Sequence, residues 1–255
     1  MDFLSSVILG IVEGVTEFLP VSSTGHLVLV SQLLSIPKTE FLKSFEITIQ
    51  MGGITAVVFL YWKSFLNLEL IKKLAVAFVP TGIIGLALYK VVKEYLLGNS
   101  YVVLWSLALG GLALILFELW YKDRVVHGDG VKEITYKQSF LVGLFQALAI
   151  IPGVSRSGAT ILGGLFLGVT RATIVEFSFL LAVPTLAAAT GLDLLKSYSS
   201  FSLADFEFLA VGFIFSFITA VSAIRFMLKY VRNHTFIAFG IYRLVVALLF
   251  WMIVF

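Results

Sequence analysis

Only 13% of this 255-residue chain is charged and 60% is hydrophobic, against roughly 25% charged in a soluble domain, which excludes an ordinary soluble fold. The net charge of +3 comes mostly from Lys and Arg between apolar segments. That pattern suits membrane orientation better than nucleic-acid binding, so no nucleic-acid partner is expected. The absence of cysteine excludes disulfides and thiolate metal sites.

Ten apolar segments follow in order, at about 3–18, 25–36, 45–62, 70–92, 101–121, 138–151, 157–168, 172–192, 206–229 and 235–255. They are too long and too uniformly apolar for an outer-membrane barrel. The first is not expected to be a cleavable signal, since Asp2 precedes it and Glu13 and Glu17 interrupt it. Six segments are long enough to cross a bilayer. The other four are short and come in adjacent pairs, 3–18 with 25–36 and 138–151 with 157–168. Residues 25–36 make only about 18 Å of helix, against a hydrocarbon core of about 30 Å. Each pair is joined by a polar loop, Pro20–Gly25 or Pro152–Gly158. The expected fold is an all-α integral membrane protein with six transmembrane helices and two re-entrant helix–loop–helix hairpins. Irregular backbone at membrane depth is tolerated only where protein or a water-filled cavity surrounds it.

The two hairpins resemble each other. A shift of 133 residues places Glu13 on Gln146, Ser22 on Ser155, Thr24 on Ser157 and Gly25 on Gly158. Each hairpin precedes three long segments, so the chain reads as repeat 1 at about 1–122, a cytoplasmic loop at about 123–137 and repeat 2 at about 138–255. A re-entrant pair returns to its starting side and three crossings follow, so the second repeat enters from the opposite face. This inverted-repeat plan puts the shared site near mid-membrane, where broken helices meet. Lys38, Lys43, Lys90, Lys93 and Lys196 fall on the side of the N-terminus. Twice as many Lys and Arg, among them Lys63, Lys73, Lys122, Arg124 and Arg171, fall on the other. The second side is therefore expected in the cytoplasm, with Asp129 there and Ser5 and the region near Lys196 outside.

The first loop carries Glu13-Gly14-Val15-Thr16-Glu17-Phe18-Leu19-Pro20-Val21-Ser22-Ser23-Thr24-Gly25-His26. Glu13 and Glu17, four apart, share a helix face. Two carboxylates in an apolar segment are costly and read as functional. They suit a divalent ion held together with water and substrate phosphates; one of them could instead be a base, or both could be a buried structural pair. Ser22, Ser23 and Thr24 lie between Pro20 and the next half-helix. They either cap that helix or include a nucleophile, with His26 beside them for acid–base or nucleophilic work.

The second loop reads Pro152-Gly153-Val154-Ser155-Arg156-Ser157-Gly158-Ala159-Thr160. Gly153 and Gly158 let backbone approach an anion, the half-helix supplies N–H donors, and Arg156 offers bidentate contacts to phosphate, with Ser155, Ser157 and Thr160 as further ligands. Alternatively Arg156 pairs with Glu13 or Glu17, which is compatible with substrate binding. Glu17 aligns with Ile150, Ser23 with Arg156 and His26 with Ala159. One loop thus holds candidate metal, base and nucleophile groups and the other an anion clamp, a division that suits a phosphate-processing enzyme. An anion or lipid-phosphate transporter is the rival on the same plan. Binding and release alone do not need a nucleophile beside a carboxylate pair.

These two motifs resemble those of the bacitracin-resistance family of undecaprenyl-diphosphate phosphatases. The resemblance runs end to end, through Phe45-Glu46 with Gln50, Glu176-Phe177-Ser178-Phe179-Leu180-Leu181-Ala182-Val183-Pro184, and Ile241-Tyr242-Arg243. It implies hydrolysis of the long-chain prenyl diphosphate carrier to its monophosphate, which recycles the carrier for cell-wall synthesis. It implies dependence on Mg²⁺ or Ca²⁺, and a site in the bacterial plasma membrane that opens to the extracytoplasmic side. It places functional positions on Glu13, Glu17, Ser22, Ser23, His26, Ser155, Arg156 and Thr160. A homodimer is left open. So is the nucleophile: Ser23 is favoured, with His26 or Glu17 as its base, over direct attack by His26 or by water. Arg243 is expected to be structural, while Glu46 could line the cavity or join helices.

Overall fold

In a computed structural model of the chain, which describes residues 1–96, 99–121, 130–197 and 205–255, each apolar run is a helix. The helices are α1 (Phe3–Thr16), α2 (Ser23–Leu33), α3 (Glu40–Tyr61), α4 (Leu68–Val91), α5 (Ser100–Tyr121), α6 (Tyr136–Ala147), α7 (Arg156–Phe166), α8 (Arg171–Ser197), α9 (Asp205–Tyr230) and α10 (Ile237–Val254). No strand occurs among the described residues. The helices α3, α4, α5, α8, α9 and α10 are long and apolar enough to cross a membrane, as expected of those six segments. The short helices α1, α2, α6 and α7 have 14, 11, 12 and 11 residues, about 16–21 Å each. Lys122, Arg124 and Asp129 lie outside the described residues, with much of the expected loop at 123–137; so do the side chains of Lys93 and Lys196.

Local chemistry starts the helices where an orphan N–H finds a side-chain oxygen. Asp2 accepts from the Ser5 N–H at 2.7 Å, Thr39 from Leu42 and Asn67 from Leu70. Thr135 forms a reciprocal capping box with Gln138. The two half-helices after the breaks start in a shared, unusual way. Ser22 and Ser155 have φ of 72° and 79°, a region that side chains rarely adopt. Their Oγ atoms accept from the Gly25 N–H at 3.3 Å and the Gly158 N–H at 3.1 Å. The sequence reading put Ser23, Thr24, Arg156 and Ser157 ahead of the helices. The structure corrects this: the caps fall on Ser22 and Ser155, so all four residues belong to the first turn.

Packing repeats with the sequence. The helix α1 lies along α9 and α6 along α4; α3 packs on α9 and α8 on α4; α5 meets α10 and α3 meets α8. Exchanging α1–α5 for α6–α10 converts each of these pairings into another of them or into itself. Two glycines at matching places in the two halves permit close crossings. A Cβ on Gly10 would meet the Gly212 carbonyl at 2.5 Å, and one on Gly143 would overlap the Ala77 carbonyl. These positions are related by the same 133-residue shift. Small residues at helix crossings let backbones approach closely, which matters where lipid leaves little hydrophobic driving force between helices. The main core, which includes Phe18, Phe177, Phe179 and Phe236, sits beside the first loop. Phe18 meets Phe179 edge to face at 5.4 Å.

Candidate active site

The two loops meet at the buried centre, and one residue outside them sets their spacing. Arg243 of α10, 1% exposed, commits all five N–H donors to backbone carbonyls. It donates to Pro20 of the first loop at 3.3 Å, to Gly153 and Val154 of the second at 3.0 and 2.9 Å, and to Ser106 and Leu107 of α5 at 2.7 and 3.2 Å. A guanidinium has five such donors and no more, so Arg243 has none left for a substrate. Its structural role, expected from sequence, takes the specific form of a brace between the loops. Ser157 adds a second tie by donating to the Leu19 carbonyl at 2.7 Å.

Glu17 occupies the centre. Its Oε2 accepts from the Ser23 hydroxyl at 2.5 Å, and its Oε1 pairs with Arg156 Nη2 at 3.2 Å. The first turn of α2, the end of α1 and the first turn of α7 thus deliver hydroxyl, carboxylate and guanidinium to one spot. Arg156 also donates to the Ser178 carbonyl at 2.7 Å and to its hydroxyl at 3.3 Å. The Phe18 ring lies 5.7 Å from its Cζ. Its Nε is buried without an acceptor among the described residues, so the guanidinium has a donor to spare.

His26 stands apart from this cluster. Its Nδ1 lies 2.7 Å from the Ser22 carbonyl and its Nε2 2.8 Å from the Tyr242 hydroxyl. A carbonyl only accepts, so Nδ1 carries the proton, and in the neutral ring Nε2 accepts from the phenol. Of the two bases open to Ser23 from sequence, Glu17 is the one in contact.

Several residues expected as phosphate ligands are occupied otherwise. The Gly158 N–H is taken by the Ser155 cap, and Ser155 and Ser157 share a hydrogen bond at 3.1 Å. Thr160 pairs with the Ser178 hydroxyl at 2.7 Å. Gly153, with φ of 93°, turns the chain so close to α5 that a Cβ would meet the Val103 carbonyl at 2.8 Å, and its carbonyl serves Arg243. Ser22 caps α2, and Thr24 lies half-buried in its first turn. In the sequence, Tyr242 and Ser178 stand only within the stretches that carry the family resemblance. Their signal was adjacency to intramembrane charge, which does not reveal a partner on another helix.

Glu13 has the chemistry of a cation ligand. Both its carboxylate oxygens are buried, and among the described residues no N–H or hydroxyl donates to them; the Glu17 carboxyl lies beside them. Its charge faces the like charges of Glu17 and Glu46, with Arg156 as the opposing cation. A buried anion without donors is costly, and a divalent ion would offset that cost. No group of three or more His, Cys, Asp or Glu gathers among the described residues. A cation here would therefore take two carboxylates and fill its remaining positions with water and phosphate oxygens, which suits Mg²⁺. The equivalent position in the second repeat holds Gln146, whose Nε2 donates to Thr81 at 2.9 Å and Thr185 at 3.1 Å. That polar pocket is already satisfied. Glu46 accepts from Ser31 at 3.0 Å, which makes it a link between α3 and α2.

Comparison with known proteins identifies the family of the chain. The family described as bacitracin resistance protein BacA matches residues 6–249. An undecaprenyl-diphosphatase of a Sulfurihydrogenibium species is 54% identical over 252 residues, 99% of each chain. Those of Aquifex aeolicus and Persephonella marina are 48% identical over 96% of each chain and 49% identical over 100% of each. With the family match covering both loops and reaching into the last of the six long helices, this chain belongs to the bacitracin resistance protein BacA family.

Proposed function

We propose that this chain hydrolyses undecaprenyl diphosphate to undecaprenyl phosphate and inorganic phosphate, returning the lipid carrier to cell-wall synthesis. The carrying observation is the Ser23–Glu17–Arg156 contact chain at the junction of the two loops, in a chain about half identical, end to end, to undecaprenyl-diphosphatases.

The resting contacts suggest the order of events. Glu17 Oε2, already hydrogen-bonded to Ser23, takes the hydroxyl proton as Oγ attacks the terminal phosphorus. The Oγ–P bond forms, the P–O bond to the lipid-bearing phosphate breaks, and undecaprenyl phosphate leaves. Once protonated, Glu17 no longer neutralises Arg156, and the guanidinium turns its charge to the phosphoryl oxygens as negative charge accumulates there. Water then cleaves the phosphoserine, with its proton passing to Ser23 Oγ and the Glu17 proton leaving with phosphate. A divalent ion held by Glu13 and Glu17 would supply charge neutralisation to the diphosphate. The excess of Lys and Arg on the side opposite the N-terminus supports a plasma-membrane orientation in which the first hairpin enters from outside.

The test is phosphate release from a long-chain prenyl diphosphate by purified protein. Release should stop on chelation and return with Mg²⁺ or Ca²⁺. A preparation that binds the lipid but releases no phosphate would overturn the reading; chelator-insensitive release would remove the metal from it.

A further inference from the structure

The groups at the centre are closed off. Glu13, Glu17, Ser23, His26 and Arg156 are each no more than 9% exposed, yet a lipid diphosphate has to reach them. Among the described residues, the hydrogen-bond partners of these five groups are themselves buried, with one exception. Tyr242 is 45% exposed, on a face of α10 where Ile241 and Val245 are 52% and 50% exposed. An apolar exposed face on a membrane-crossing helix is a lipid-facing one. Tyr242 therefore connects the bilayer to His26 in a single step.

The geometry points to Tyr242 as a displaceable latch on His26, at a membrane-facing mouth beside α10 through which the prenyl diphosphate reaches the two loops. This rests on the phosphatase reading for the identity of the lipid. With Nδ1 committed to the Ser22 carbonyl, the free lone pair of His26 is at Nε2, and the phenol covers it. The two rings lie nearly parallel, 3° apart, with centroids at 5.5 Å, so the side chain can swing out along the lipid face without pulling the imidazole. Arg243, the next residue, is buried and holds five carbonyls. The helix backbone is thus pinned where the latch is attached, and opening is a side-chain rotation. A hydrogen bond between neutral groups has a small net strength, so an arriving phosphate, itself an acceptor, can draw the phenol O–H away from Nε2. Closed, the latch holds the His26 ring in one orientation and keeps Nε2 from stray electrophiles. Tyr242 acts through His26 and is a positioning residue.

Tyr242→Phe tests this, since it keeps the ring and removes the hydroxyl. Diethyl pyrocarbonate attacks the free imidazole lone pair, and peptide mass spectrometry locates the adduct. Modification of His26 should rise by about 2–10-fold in Tyr242→Phe, the factor expected for one neutral hydrogen bond, while exposed His234 serves as the unchanged reference. The KM for a long-chain prenyl diphosphate should fall by a similar factor with kcat retained, because no fraction of the protein is held closed. Tyr242→Leu should change both in the same direction. Equal His26 modification in wild type and Tyr242→Phe overturns the latch. A fall in kcat at unchanged KM overturns it too, because the hydroxyl would then belong to the chemistry. The labelling needs no turnover, so it decides the latch even for a protein that released no phosphate.

Discussion

At the scale of single residues, Glu17 links the nucleophile to the guanidinium, and its two oxygens divide the labour. Oε2 holds Ser23 and Oε1 holds Arg156. If Glu17 is the base for Ser23, the two act as one unit. Glu17→Gln should lower kcat by about 10²–10⁴-fold, the usual worth of base assistance; Ser23→Ala, which removes the nucleophile itself, should abolish turnover, and the double variant should be no slower than the worse single. Multiplying effects, read by phosphate release, would mean the two residues act independently. Arg156→Ala also leaves Glu13 and Glu17 as buried anions without their cation, which destabilises by about 3–5 kcal/mol. Loss of activity in that variant therefore mixes folding with chemistry. Arg156→Lys is the cleaner probe: the charge remains, the planar fork does not, and turnover should fall with the melting temperature nearly kept. Near-normal turnover would show that charge alone suffices. The site's residue types were legible from the motifs, because carboxylates, Arg and hydroxyls inside apolar segments demand a reason. Their pairings were not. Which oxygen meets which donor depends on the first turns of α2 and α7, and these were fixed by strained serine caps that look like any other hydroxyl in the sequence.

At the scale of elements, the two tight crossings at Gly10 and Gly143 carry the architecture. In both, the partner backbone sits where a side chain would be. Gly10→Val and Gly143→Val should each push helices apart and lower stability by at least the 1–3 kcal/mol typical of overpacking. Gly191 in α8 is the internal control: a Cβ there meets nothing within 4 Å. Gly191→Ala should leave the melting temperature unchanged or raised, since Ala outranks Gly inside a helix. Equal melting temperatures for the three variants in detergent would contradict the close crossings. Element number and type were readable from length and hydropathy, down to the six long and four short helices. The partners of each helix were not readable. Apolar surface packs against lipid as well as against protein, so hydrophobicity alone does not say which face is buried. The repeat in the loops carried part of the answer, since Gly10 and Gly143 obey its shift, whereas Arg243 obeys no repeat and its role as a brace appears only once both loops are in place.

At the scale of the whole molecule, the exchange of α1–α5 for α6–α10 preserves the main helix pairings, and the orientation of that frame in the bilayer rests on charge. The sequence places Lys38 and Lys43 with the N-terminus and concentrates basic residues on the opposite side, which the positive-inside rule assigns to the cytoplasm. Accessible cysteines can test this cleanly, because the chain has none of its own. Ser5 is a poor probe despite its place near the N-terminus: its side chain is 8% exposed and its N–H is held by Asp2. Lys38, exposed between α2 and α3, is the better one. In intact cells, a membrane-impermeant thiol reagent should label Lys38→Cys, while Asp129→Cys should react only after permeabilisation. The reverse pattern would turn the molecule over. The first hairpin would then enter from the cytoplasm, and the carrier lipid would have to be hydrolysed without the site opening to the outer face. Labelling of both variants in intact cells would indicate two populations of opposite orientation. The twofold excess of basic residues on one side weighs against that, because near-equal charge on the two sides is what leaves an inverted frame without a preferred direction.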